Sequence, residues 1–195
     1  MIIRPKPASS YLKGKHMTYI HILIILMEII AFSLSFRKVG WQLFIYYTEL
    51  SNLVTLFSSV AYLLTGGNVP VFRYLSAVML SMTFLITLFV LVPMGGSFKE
   101  LMLSNNGLYH HTLVPILSVT SYILWESHSH AWLFPVLVTM IYGLTMMGLN
   151  VLDKLDGPYP FLRVRHQSTK ASVLWFFALI LIIAAISLIV SYLAR

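Results

Sequence analysis

The sequence predicts an all-α integral membrane protein, a compact bundle of six transmembrane helices, and three observations predict it. Of 195 residues, 58% are hydrophobic and only 10% charged, with a mean hydropathy of +0.84, whereas a soluble domain carries roughly 25% charged residues. Apolar stretches long enough to span about 30 Å of hydrocarbon recur six times along the chain. Trp41, Trp125, Trp132 and Trp175 each fall at or within a turn of the end of such a stretch, where an indole sits at headgroup level. Disorder is excluded, because 12 Phe and 11 Tyr add more apolar surface than conformational entropy can keep in water.

A basic tail, residues 1–17, carries Arg4, Lys6, Lys13 and Lys15 ahead of the first span, 18–36. That span has the flank of a secretory signal, but its length, its internal Glu28 and the lack of an A-x-A site make it a retained helix. The remaining spans are 42–64, 74–93, 108–125, 132–152 and 171–193, and residues 18–195 form one domain. Gly66-Gly67-Asn68-Val69-Pro70 is a turn, and 153–170 is the longest loop, rich in charge and proline. Basic residues divide almost evenly between the two sides, so their total does not orient the bundle. The heavier basic flank of the first span places both termini in the cytoplasm.

Composition also narrows the chemistry. Without cysteine there is neither a thiolate metal site nor a cysteine nucleophile, and no cofactor is expected. The net charge of +7 lies between spans, where Lys and Arg meet lipid headgroups. Membrane lipids, not nucleic acid, are therefore the expected partners.

Intramembrane polar residues are costly and mark candidate sites. Thr48 in the second span, His111 in the fourth and Asn150 in the fifth lie roughly 9, 5 and 3 Å below one interface at 1.5 Å per helical residue. Glu28, roughly 12 Å deep, reaches the same leaflet. Thr48, Asn52, Thr55 and Ser59 follow one helical face bordered by Ser51, and His21, Glu28 and Ser35 follow a heptad on the first span. The sixth span has only Ser187 and Ser191 as polar stripe, so it reads as a lipid-facing wall. On spacing alone each of these has a structural reading. A membrane threonine bonds its own i−4 carbonyl or glues two helices, His110 and His111 bond neighbouring helices, and Glu49 is an inter-helix partner. Nothing in the spacing brings Glu28 and Glu49 together. Glu126, His128 and His130 would share one face of an extended segment and could hold a Zn or Cu ion there. A solvated loop is the simpler reading, and that loop lies opposite Thr48, so no metal enters the candidate site.

Tyr47-Thr48-Glu49-Leu50-Ser51-Asn52, His110-His111-Thr112-Leu113-Val114-Pro115 and Gly157-Pro158-Tyr159-Pro160-Phe161-Leu162 together resemble, in order and span position, the androgen-induced and androgen-dependent TFPI-regulating membrane protein family and its six-span bacterial relatives. The resemblance implies a threonine hydrolase of fatty-acid esters of hydroxy fatty acids, with Thr48 as nucleophile and His111 as base, in a bacterial cell membrane. Ser51-Asn52 and the doubled histidine place it nearer the bacterial branch, where the animal substrate does not carry over. In that reading Asn52 donates to an oxyanion, with Ser51, Asn150 and Glu28 in the polar pocket. Arg163, Arg165 and Lys170 would hold the carboxylate of a lipophilic ester, and 159–162 would fold over the cavity mouth. The competing class is a non-catalytic membrane protein: a small transporter using Glu28 and His111, or a lipid-binding or assembly partner.

Overall fold

The computed structural model describes residues 8–194, with side chains from residue 14 onward. Among them it is all-helical. Helix α1 (Ala8–Val39) passes through a 3₁₀ stretch (Gly40–Ile45) into α2 (Tyr47–Thr65), and α3 (Pro70–Ile86) runs on through a π turn (Thr87–Leu91). A folded segment follows, with a second π turn (Lys99–Leu103) and a single helical turn (Asn105–Gly107). A third π turn (Leu108–Leu113) leads into α4 (Val114–Trp125), and α5 (Leu133–Val151) and α6 (Thr169–Leu193) complete the chain. The helix thus begins at Ala8 rather than at 18, so part of the expected tail is helical. Arg4 and Lys6 lie outside the described residues.

Four stretches are long and apolar enough to cross a membrane: Gly14–Ile45, Pro70–Leu91, Leu133–Val151 and Thr169–Leu193. This is the composition of an integral membrane protein. The helices at the second and fourth expected spans do not reach that standard. Helix α2 buries Thr48, Glu49, Ser51, Asn52, Thr55, Ser58 and Ser59, and α4 is 12 residues long because a π turn replaces its first part.

The bundle is turned inside out relative to a soluble one. On α1, His21, Ile24, Glu28, Ala31 and Ser35 are buried along one stripe, while Ile22, Leu23, Leu26, Ile29 and Ile30 are exposed. Apolar residues outward and polar ones inward is the arrangement lipid requires. Helix α6 likewise exposes Leu174, Phe177, Leu181 and Leu188, and its Ser187 and Ser191 meet the bundle, bonding Tyr74, the Trp132 carbonyl and His130. Between α2 and α3, Gly66 takes the left-handed conformation (φ 65°) that ends a helix most cheaply in glycine, and Pro70 starts the next.

The loop after α4 is solvated at Ser127, His128 and His130, which are exposed, but not at its first residue. Glu126 is buried and holds Arg73 of α3 in a bidentate pair at 2.7 and 2.8 Å, with Ser118, Ser121, Ser58 and Ser76 around them and His21 at 3.7 Å. Burial pushes the Glu126 carboxyl up, but the Arg73 guanidinium outweighs it and holds the group below its ordinary value. His128 instead meets the Tyr122 carbonyl and His130 meets Ser191. The three expected ligands are therefore dispersed, because the segment turns back onto the bundle instead of extending. Among the described residues there is no group of three or more His, Asp or Glu suited to a metal.

Ile24, Leu80 and Val114 are fully buried and pack into one apolar layer. On their helices they stand between His21 and Glu28, Ser76 and Thr83, and His110 and Ser118. The Arg73–Glu126 cluster lies on one side of this layer and the candidate site on the other.

Candidate functional site

The site is built where α2 begins. An α-helix leaves its first four N–H groups unpaired, and Tyr46, extended at φ −86° and ψ 131°, offers no side-chain cap. The cap comes from the chain after α5. Its Pro158 opposes helix, Pro160 opens a short 3₁₀ turn (Pro160–Leu162), and the segment folds back so that Tyr159, Phe161 and Leu162 are buried. The Tyr159 ring stacks on Phe161 at 5.2 Å and Phe161 packs on Trp175 at 5.5 Å. The Thr48 backbone N–H donates to the Tyr159 hydroxyl at 3.3 Å, and that hydroxyl stands 3.4 Å from Thr48 Oγ1. Since the oxygen accepts from the backbone, its proton is available to Thr48 or to a group bound beside it. Burial pushes the Tyr159 phenol up to about 12, so it stays neutral and donating at physiological pH.

Thr48 and Tyr159 line two cavities at once. One, about 470 Å³, is the more polar of the two and is lined also by His111, Glu49, Ser35, Lys38, Glu100 and Asn106. The other is a narrow apolar crevice of about 60 Å³ between α3, α5 and α6, walled by Met82, Ile86, Phe161, Leu179 and Ile180. His111 is carried on the third π turn, which is braced by the Thr112 hydroxyl donating to the Met102 carbonyl at 2.6 Å. Its Nδ1 is buried and has no hydrogen-bond partner among the described residues. Thr48 and His111 therefore face the same cavity from different helices.

Beside them lies a cluster that spacing did not disclose. His110, fully buried, sits with Nε2 at 3.1 Å from Glu28 and Nδ1 at 3.0 Å from Glu49. Glu28 and Glu49 thus meet on one imidazole, contrary to the expectation that nothing joins them. The other Glu49 oxygen accepts from Ser35 at 2.8 Å, and Asn106 donates to the Ser35 hydroxyl at 3.0 Å. The π turn is the reason. Its i→i+5 pairing inserts an extra residue and turns the side chains out of α-helical phase, and His110 there sits between α1 and α2.

Several expected pocket residues are committed elsewhere. Asn52 donates to the Thr48 and His110 carbonyls at 2.8 and 3.3 Å, clipping α2 to the π turn. It does not line the polar cavity, whereas Tyr159 does. Ser51 bonds the Thr48 carbonyl and Thr83. Asn150 donates to the Leu155 carbonyl and accepts from Arg165 N–H, fixing the long loop. Arg163, Arg165 and Lys170 are exposed and outside the cavity; Arg163 donates to the Gly157 carbonyl and Arg165 pairs with Asp153. Lys38, at the end of α1, is the cation on the cavity wall. Compared with protein-family models, curated proteins and solved structures, the chain matches none.

Proposed function

We propose that this chain is a six-span intramembrane lipid-ester hydrolase of the threonine type, related to the family its three motifs resemble, in a bacterial cell membrane with both termini in the cytoplasm. The observation that carries the reading is that Thr48 stands at the junction of a polar cavity and an apolar crevice. A lipophilic ester lying across that junction puts its acyl chain among Ile86, Leu179 and Ile180 and its carbonyl at Thr48. The Thr48 hydroxyl attacks that carbonyl while His111, whose Nδ1 has no other partner among the described residues, takes its proton and passes it to the leaving alkoxide. The Oγ1–carbon bond forms and the ester C–O bond breaks. Water then adds to the acyl-threonine, releasing the acid and restoring Thr48. The Tyr159 hydroxyl and the positive end of α2 stabilise the oxyanion in each half.

The test is hydrolysis of a fluorogenic lipid ester by the purified protein in detergent. Saturable turnover that Thr48→Ala abolishes and Thr48→Ser partly keeps supports the reading. Turnover unaffected by Thr48→Ala ends it. The second reading, a proton-coupled carrier, is favoured by the Glu28–His110–Glu49 cluster. It predicts proton-driven lipid uptake into vesicles without any hydrolysis.

A further inference from the structure

We propose that Glu28, His110 and Glu49 form a proton-binding site that opens only onto the polar cavity and takes up the proton released there. Glu49 lines the cavity wall and holds His110, and His110 holds Glu28, which is fully buried. The chain of contacts therefore has a cavity end and a blind end. Beyond Glu28 the next titratable group on α1 is His21, and Ile24 lies between them in the apolar layer with Leu80 and Val114. A proton on Glu28 leaves by the way it came.

Charge arithmetic makes the site receptive. Two carboxylates around one imidazolium leave one uncompensated negative charge in a bundle surrounded by hydrocarbon, and a buried charge is costly unless paired. One further proton neutralises the cluster. The three groups are joined by contacts of 3.0 and 3.1 Å, so the added proton belongs to the set. The Phe32 edge, 4.9 Å from the His110 ring, keeps that face dry. Other charged or titratable groups face the set from the cavity: Lys38 of α1, Glu100 of the folded segment, His111 of the π turn and Tyr159 of the long loop. Nearby on α3, Thr83 bonds Ser51 and Leu80 packs in the apolar layer, and neither titrates.

The inference rests on the hydrolase reading for the source of the proton. Ester and water give a carboxylic acid and an alcohol, and the acid, once ionised, yields one proton per ester cleaved. Glu49, on the cavity wall with Thr48 and Tyr159, is a carboxylate placed to take that proton.

The site is tested apart from catalysis by infrared titration of the protein in phosphatidylcholine vesicles between about pH 5 and about pH 9. A protonated-carboxyl band should grow on acidification, disappear in Glu28→Gln and Glu49→Gln, and shift in frequency in Glu28→Asp and Glu49→Asp, which keep the carboxyl if the amides do not fold. In weakly buffered single turnover, proton release to a soluble dye should lag product in the wild type and coincide with it in Glu49→Gln. A band unchanged in all four variants overturns the proposal, as does simultaneous release of product and proton by the wild type. If the wild type titrates as described but hydrolyses no ester, the proton site stands and the hydrolase reading falls.

Discussion

The Tyr159 hydroxyl accepts the Thr48 backbone N–H at 3.3 Å and lies 3.4 Å from the Thr48 side-chain oxygen. A residue from the loop after α5 thus completes the N-terminus of α2 and presents a proton beside the candidate nucleophile. Removing that hydroxyl separates the two roles. Tyr159→Phe should lower kcat on a lipid ester by about 10²-fold or more, the usual cost of an oxyanion donor, with little change in KM. Loss of the cap should cost about 1 kcal/mol of stability, read by thermal unfolding in detergent.

The same phenol sets an alkaline limit. Its folded value of about 12 lies above the ordinary value of 10, so the stability it contributes is present below pH 10 and lost as pH rises toward 12. Alkaline unfolding of the wild type should begin in that window, and Tyr159→Phe should flatten it.

Glu126 sets the acid limit. Burial raises its carboxyl, the Arg73 guanidinium more than reverses this, and the folded value ends below the ordinary one. Its contribution is therefore present above the unfolded value and lost as pH falls through the folded value. Glu126→Gln should destabilise the wild type at neutral pH by about 3–5 kcal/mol, because Arg73 is left buried and unpaired. The difference should shrink on acidification, as followed by unfolding at stepped pH.

Gly157 precedes the Pro158-Tyr159-Pro160 brace, and a Cβ there would meet the Leu162 carbonyl oxygen at 2.8 Å. Gly157→Ala should push the brace away from Thr48, lower hydrolysis, and open the loop to limited proteolysis near Tyr159. Unchanged proteolysis would show that the backbone absorbs the methyl.

Lys38 lies on the cavity wall, whereas Arg163 and Arg165 face outward. Lys38→Met should raise KM for an ester with a free carboxylate by about tenfold or more, the scale of one charged hydrogen bond. An uncharged ester of the same length should be nearly unaffected. Reversing Arg163 and Arg165 should change neither KM appreciably.

Much of this was legible in the sequence, for definite physical reasons. Hydrocarbon demands long apolar runs, so the helices at residues 18–36, 74–93, 132–152 and 171–193 announced themselves, and so did the proline-bounded brace at 159–162. The heptad of His21, Glu28 and Ser35 was visible as a polar stripe, and all three are buried. Their partners were not visible, because contact between α1, α2 and the π turn is a matter of packing. His110 read as bonding a neighbouring helix, and it does, but spacing did not show that carboxylates of α1 and α2 share its ring. Glu126 read as loop because Glu-Ser-His-Ser-His has the composition of a solvated segment, and only its Arg73 partner accounts for its burial. Asn52 and Thr48 are one turn apart on α2, but the Asn52 amide bonds backbone carbonyls.

The stripe on α1 bears on how the protein is made. The neighbours of its two fully buried ionisable side chains, His110 for Glu28 and Glu126 for His21, flank α4 and are made only after α2 and α3. Until then α1 holds a carboxyl and an imidazole in the translocation machinery or in lipid, where an ionisable residue at mid-helix costs about 3 kcal/mol on insertion scales. A nascent chain truncated after α3 would therefore lack the groups that satisfy its first helix. Quality-control proteases should recognise such a fragment, whereas a chain extending past Glu126 carries both neighbours.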